Sequence, residues 1–246
     1  MYRFRFIFVS IKKYKMKTLL ETDQSFICEI SAPCFQALSQ DEVALIQKSR
    51  TQVQFRKGEN LTKQGAFASY VLFVIDGLVR QYVEGDGERN FNLSLVQSGD
   101  FIGLSAVFGN PVFNYSTVAI TETVVYLVEK DALLQIIKKN SAFAYDIIKH
   151  YNEQNNSLFE IIKRIQYKQM NGRLADALLY LSNDHFSKFE VFSNLSRKDL
   201  ADFAGISTES TVKILKQYEK DGILKLDEKN ITITNKSSLL DISRRG

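Results

Sequence analysis

Residues Ser196–Thr211 read SRKDLADFAGISTEST, and this run decides the fold of the C-terminal part of the chain. Ser196 followed three residues later by Asp199 has the form of a capping box, and Leu200, Ala201, Phe203 and Ala204 supply the apolar side of the helix that follows. Gly205 can take the left-handed conformation that ends a helix. Ser207 is then placed to cap a second helix, Thr208 to Lys220, whose buried side carries Thr211, Ile214 and Leu215. Two helices joined by a turn of about three or four residues containing glycine make a helix-turn-helix. Asp221 and Gly222 close the second helix. Ile223–Leu226 and Ile231–Thr234 then read as a hairpin around Asp227–Asn230, the wing of a winged helix-turn-helix.

Upstream, Arg173–Leu181 (RLADALLYL) starts another helix after Gly172, so residues 169–246 form a mostly helical domain. From Asp131 to Gly172 there is no glycine or proline, and the apolar period is about 3.5, which predicts a long helix with a dimerisation segment over 136–168. Its seam reads Ile147, Tyr151, Gln154, Leu158, Ile161 and Ile165, at alternating steps of four and three. That spacing suits a two-stranded coiled coil in which the polar Gln154 fixes register at some cost in stability. An amphipathic helix lying on its own domain explains single turns about as well. The persistence of the seam between two domains favours the homodimer.

Before the helix, Val53–Phe55, Tyr70–Ile75, Leu78–Val83, Phe91–Val96 and Thr117–Val128 alternate and are rich in β-branched and aromatic residues, with glycines between them. Glu84-Gly85-Asp86-Gly87-Glu88 is a hairpin signal, because tight hairpin turns need the positive φ that glycine reaches. Regular strand spacing predicts an antiparallel β-roll over 25–135. The fold class is therefore α+β: an N-terminal β-roll, a long dimerisation helix and a C-terminal winged helix-turn-helix.

At 246 residues with a formal charge of +4, the chain is long enough for two modest domains and fits an anionic partner without requiring one. Cys28 and Cys34 are too few for a disulfide framework and favour a reducing cytoplasm. No run approaches the roughly 18 apolar residues that a membrane-spanning helix needs. Met1–Lys15 has basic residues on both sides of Phe6–Ile11 and lacks the small-residue cleavage site of a signal peptide. Residues 1–24 are read as an N-terminal extension on which no function is based, and translation is expected to start at Met16.

In their order and spacing, KGE (Lys57–Glu59), GDFIG (Gly99–Gly103), GRLADALLYLS (Gly172–Ser182) and SRKDLADFAGISTEST resemble the Crp/Fnr superfamily of bacterial transcription regulators, in detail its Bacteroidetes-like members. The resemblance covers about residues 25 to 240. It implies a sequence-specific regulator that binds an inverted-repeat site on double-stranded DNA as a homodimer, with RNA polymerase as a protein partner. Carried over by position, it implies that Thr208, Glu209, Val212 and Lys213 face bases. Arg197, Lys198, Ser207, Ser210 and Lys229 then face phosphates. The chemistry agrees: a carboxylate accepts from cytosine N4, a lysine donates to guanine, and valine touches a thymine methyl. The plainer alternative for Glu209 and Lys213 is an i,i+4 ion pair on a solvated face. Two residues depart from the family pattern, Thr211 where valine or isoleucine is usual and Lys213 where many relatives have arginine, whose fork is the more selective.

The resemblance also says what a cyclic-nucleotide site would need, namely a glutamate after a glycine and a later Arg-Ser for the phosphate. Here Gly103 is followed by Leu104, and the Arg-Ser positions hold Asn114 and Tyr115. Between Arg89 and Lys130 there is no arginine or lysine, so the charge-assisted bond to a buried phosphate is missing, although backbone N–H groups and Ser116 could still meet an anion. These replacements argue against cyclic AMP. Two cysteines fall short of the four thiolates of an iron-sulfur cluster, and His150 reads as a solvated histidine in preference to a haem ligand. The effector stays unknown, and no metal site is expected. His150 and His185 lie in different predicted domains and belong to no catalytic motif, so the chain is not expected to be an enzyme. The competing class is a ligand-responsive β-roll signalling module that does not bind DNA specifically, against which the winged motif argues.

Overall fold

A computed structural model describes residues 33–87 and 89–246. The extension over 1–24 with its Met16 start, the beginning of the sensor domain at 25, Cys28 and the hairpin residue Glu88 lie outside the described residues.

Two short helices lead in, α1 (Pro33–Gln36) and α2 (Gln40–Lys48), the second opened by a Ser39–Glu42 capping box. The roll follows as β1 (Arg50–Phe55), β2 (Asn60–Thr62), β3 (Tyr70–Asp76), β4 (Leu78–Glu84), β5 (Asn90–Gln97), β6 (Phe101–Ile102), the single-turn helix α3 (Ser105–Phe108), β7 (Ser116–Ala119) and β8 (Thr123–Glu129). The strands form two antiparallel four-stranded sheets, in the orders β1-β8-β3-β6 and β2-β7-β4-β5. Between them lies an apolar core that includes Val53, Val74, Val79, Val96, Ile102 and Val125. The expected hairpin joins β4 to β5, with Glu84 opposite Asn90 and Gly87 at a φ of 70°.

The second half comprises α4 (Lys130–Lys139), α5 (Ser141–Tyr167), α6 (Met170–Leu181), a 3-10 turn (Asp184–Phe189), α7 (Val191–Asn194), α8 (Arg197–Ala204), α9 (Thr208–Lys220), β9 (Leu224–Asp227), β10 (Asn230–Ile233) and α10 (Lys236–Arg245).

Three expectations need correction. The single strand expected over Thr117–Val128 is two strands in different sheets, because the chain turns a corner at Ile120–Glu122, where the Ile120 N–H donates to Leu78 O and Thr121 Oγ1 accepts from the Leu78 N–H. The long helix breaks at Asn140, which is extended (φ −109°, ψ 103°) and whose side chain accepts from the Phe143 N–H while donating to Ala37 O and Glu42. Asparagine is a good N-cap, so the cap sets the start of α5 where periodicity alone runs on. Finally, Gly172 lies inside α6 and not before it; a Cβ there would come within 2.8 Å of the Gly246 backbone, so the glycine admits α10 against α6.

The two halves share a core. Leu78, Leu95 and Ile120 of the roll belong to the same apolar cluster as Leu174, Leu178, Phe203 and Leu215 of the C-terminal domain. The N-terminal half of α5 packs into the roll through Phe143 and Ile147, beside Phe35, Phe73 and Phe101.

Candidate nucleic-acid interface

Helix α8 is set by its own first turn. Ser196 Oγ accepts from the Asp199 N–H at 3.1 Å, and Asp199 Oδ2 accepts from the Ser196 N–H at 2.8 Å. Gly205 ends the helix at φ 63°, and Ser207 Oγ then accepts from the Ser210 N–H at 3.1 Å to start α9. The buried side of α9 is Thr211, Ile214, Leu215 and Tyr218. Thr211 is wholly buried, and its hydroxyl donates to Ser207 O at 3.0 Å. A hydroxyl satisfied within its own helix is tolerated where valine would otherwise sit.

The opposite side of α9 is uncovered: Glu209 and Lys213 are exposed, and Thr208, Ser210 and Val212 are half-buried. Glu209 and Lys213 do not pair with each other. The Glu209 carboxyl is held below the usual carboxylate range by its own backbone N–H and then by the Ser207 hydroxyl. An ionised carboxylate is an acceptor only, the form that meets a cytosine amino group. The same face continues through Lys216 and Lys220, both exposed, which the 3–4 spacing from Lys213 could have disclosed.

The phosphate candidates divide into two groups. Lys229 is exposed at the wing tip between β9 and β10, where Asp227 and Asn230 pair across a two-residue turn. Arg197 is instead directed at that wing, donating to Glu228 O at 2.8 Å and Lys229 O at 3.3 Å, and burial lowers its guanidinium pKa. It braces the wing against α8, with N–H groups to spare. Lys198 pairs with Asp202 at 3.1 Å. Ser207 and Ser210 sit at the α9 N-terminus, whose free N–H groups and dipole favour an anion.

Contacts that sequence reasoning did not find hold α8 and α6 to the roll. Arg80 lies 2.6 Å from the second carboxylate oxygen of Asp199, with both side chains mostly buried, and Asn92 donates to Asp199 O at 2.9 Å. Tyr180 accepts from the Leu95 N–H at 2.8 Å, and burial pushes its hydroxyl up to about 12. At the other end of α8, Arg164 donates to Phe203 O and Arg173 to Gly205 O, both at 3.2 Å. Nothing local in the sequence marks these pairs.

The six residues expected to form a dimer seam are only partly on one free face. Ile147 is wholly buried in a core shared with the roll and is unavailable to a partner helix. Gln154 bonds His150 at 3.1 Å, and Ile161 lines a cavity against the C-terminal domain. Tyr151, Leu158 and Ile165 are exposed, but so are Ile148 (63%) and Ile162 (60%), one residue beyond Ile147 and Ile161. The exposed residues Ile148, Tyr151, Leu158, Ile162 and Ile165, with the half-buried Asn155 among them, follow alternating steps of three and four, and Phe159 is exposed beside them.

In the roll, the Phe113 ring lies against Gly103, where a Cβ would approach it to 2.7 Å, and Tyr115 Oη accepts from the Gly103 N–H at 2.9 Å. Leu104 is buried in the core. Ser116 accepts from the Gln64 N–H and bonds Glu84, so its hydroxyl is already engaged. Among the described residues no helix is long and apolar enough to cross a membrane.

A β-roll joined by a long helix to a winged helix-turn-helix defines a two-domain DNA-binding regulator. Residues 52–140 match the cyclic nucleotide-binding domain family, and residues 172–242 match the Crp-like helix-turn-helix domain family. The chain is 22% identical over 216 residues to a CRP-like cAMP-activated global transcriptional regulator of Mycobacterium tuberculosis, covering 85% of this chain and 95% of that protein. It is 24% identical over 226 residues to a fumarate and nitrate reduction regulatory protein of Vibrio cholerae, covering 88% of each. Among solved structures it is similar in fold to FixK2 from Bradyrhizobium japonicum, with a TM-score of 0.68 and 24% identity over 78% of this chain and 96% of that one. It is likewise similar to a Crp/Fnr family regulator from Eubacterium rectale, with a TM-score of 0.71 and 19% identity over 86% of this chain and 98% of that one. The chain belongs to the Crp/Fnr family of transcription regulators, and it is a DNA-binding regulator.

Proposed function

We propose that the protein binds a near-palindromic DNA site as a homodimer and reads it through Thr208, Glu209, Val212 and Lys213. Lys198, Ser207, Ser210, Lys229 and the unused N–H groups of Arg197 hold the flanking phosphates. The reading is carried by one observation: the chain leaves two faces uncovered, a polar one on α9 and an apolar one on α5. The seam is Ile148, Tyr151, Asn155, Leu158, Ile162 and Ile165, in which Asn155 takes the register-fixing place of a polar residue in a coiled coil. Two-fold symmetry then demands an inverted repeat with half-sites about one helical turn apart.

On this reading the protein works in the cytoplasm, with RNA polymerase as its protein partner and no catalytic role. The signal is not cyclic AMP or cyclic GMP, since Phe113 and Tyr115 crowd Gly103 and the segment between Arg89 and Lys130 carries no arginine or lysine. Selection of binding sites from a randomised duplex pool tests the central claim; an inverted repeat is expected, and a pool with no symmetric consensus overturns it. Calorimetry is expected to detect no binding of either cyclic nucleotide in the low micromolar range.

A further inference from the structure

Between the roll, the C-terminal half of α5 and the winged domain lies a cavity of about 670 Å³, within the size range of small-molecule sites. Its apolar lining comes from all three parts: Leu93 of β5, Ile161 of α5, Leu179 of α6 and Phe203 of α8. It is separate from the interior of the roll around Gly103 and Tyr115.

The charges on the lining are nearly balanced. Lys163 pairs with Glu160 at 2.7 Å, and Lys168 pairs with Asp176 at 2.8 Å, while Ser243 also bonds Asp176. Arg164 alone is left over. Among the described residues it has no carboxylate within ion-pair distance, its Nε is buried without a hydrogen-bond partner, and its only hydrogen bond is to Phe203 O. Burial lowers its pKa, with Asp176 opposing. A desolvated guanidinium with one carbonyl partner lacks the counter-charge that such groups ordinarily find.

We propose that this cavity binds a small monocarboxylate with an apolar body, its carboxylate paired with Arg164 and its body against Ile161, Leu179 and Phe203. The single unbalanced positive charge selects a monoanion, and the planar fork of arginine matches a carboxylate. Because the walls belong to both domains, such a ligand stabilises this packing of α8 against the roll by RT ln(1 + L/Kd), where L is the free ligand concentration. Any consequence for operator affinity rests on the DNA-binding role, so the test is made without DNA.

Octanoate and octanamide share an apolar body and differ in charge, and titration of each into the full-length protein by calorimetry compares them directly. The chain contains no tryptophan, so Tyr167→Trp at the exposed cavity rim supplies a single fluorophore that reports where the ligand sits. Octanoate is expected to bind saturably, at least about tenfold more tightly than octanamide, and to shift the Trp emission. Arg164→Gln should bring octanoate down to the octanamide level, and Arg164→Lys should restore part of the difference. Equal binding of the two probes, no saturable octanoate binding, or an emission that octanoate does not move overturns the proposal. Should Arg164→Gln fail to fold, the octanoate-to-octanamide ratio on the unaltered protein decides.

Discussion

Helices α9 and α5 each leave one face uncovered, and the two faces call for opposite partners. The α9 face is polar and offers donors and acceptors without burying apolar area. The α5 face exposes Ile148, Leu158, Ile162 and Ile165 to water. Burying side chains of this size stabilises by about 1.5–3 kcal/mol each, so α5 has the stronger drive to find a second apolar surface. Both begin at a local cap, Ser207 for α9 and Asn140 for α5. They differ in that the free face of α5 is whatever both the roll and the winged domain leave over, whereas α9 packs within the winged domain.

The largest expected effect breaks this comparison at α5. Ile162→Asp removes an apolar contact in both copies of a dimer and should weaken dimerisation about a hundredfold or more, read by sedimentation equilibrium. Ile161→Asp, one residue earlier, faces the interdomain cavity and should leave the dimer largely intact. If the two outcomes are exchanged, the seam runs through Ile147, Gln154 and Ile161 after all.

At α9 the effect is smaller and concerns selectivity. Glu209→Ala should relax discrimination at one symmetric pair of base positions by about 1–3 kcal/mol, whereas Lys198→Ala should weaken binding to all sequences and flatten its salt dependence. Competition binding with single-position operator variants separates the two. An unchanged consensus for Glu209→Ala would return that residue to a solvated surface role.

The smallest effect probes how α5 is seated on the roll. Asp100 accepts from the Gln97 N–H at 2.9 Å, and burial raises its pKa above the ordinary 3.8 despite that bond and the nearby His150 of α5. The folded state therefore holds this proton more tightly than the unfolded one. The contribution of Asp100 to stability falls as pH rises from 3.8 through the folded pKa, and is constant above it. Asp100→Asn keeps an acceptor for Gln97 and should give a small gain in stability at neutral pH that disappears below about pH 3.8. Urea denaturation at the two pH values measures it.

Where a feature is determined within a few residues, it could be read from the chain. Both capping serines, the Gly205 turn, the buried set of α9, the wing and the β4–β5 hairpin are of this kind. The wing strands begin one residue away from the expected positions, a shift that pattern reading does not resolve. The corner between β7 and β8 was missed because its residues alternate through the bend, and only the Leu78 backbone reveals it. Of the six expected seam residues Ile147 is buried and Ile148 is exposed instead, and since the two are equally apolar, which of them faces outward depends on Phe35, Phe73 and Phe101, far away in sequence. Asp199 was legible as a cap, yet its ion pair with Arg80 was not.

The clamp on α8 also sets an order of assembly. Capping of α8 and α9 closes loops of three residues, and helices of this size form on the microsecond scale. The bonds to the roll join positions 107 residues apart at Asn92 and Asp199 and 85 apart at Leu95 and Tyr180, and such distant closures come late. The expected order is that the winged domain acquires its helices first and docks afterwards. In stopped-flow refolding, Arg80→Ala should leave the early helical phase untouched and alter only the later one; a change confined to the early phase would refute the sequence. On that expectation the last step of folding is the one that completes the shared core, when Leu78, Leu95 and Ile120 of the roll close over Leu174, Leu178 and Phe203.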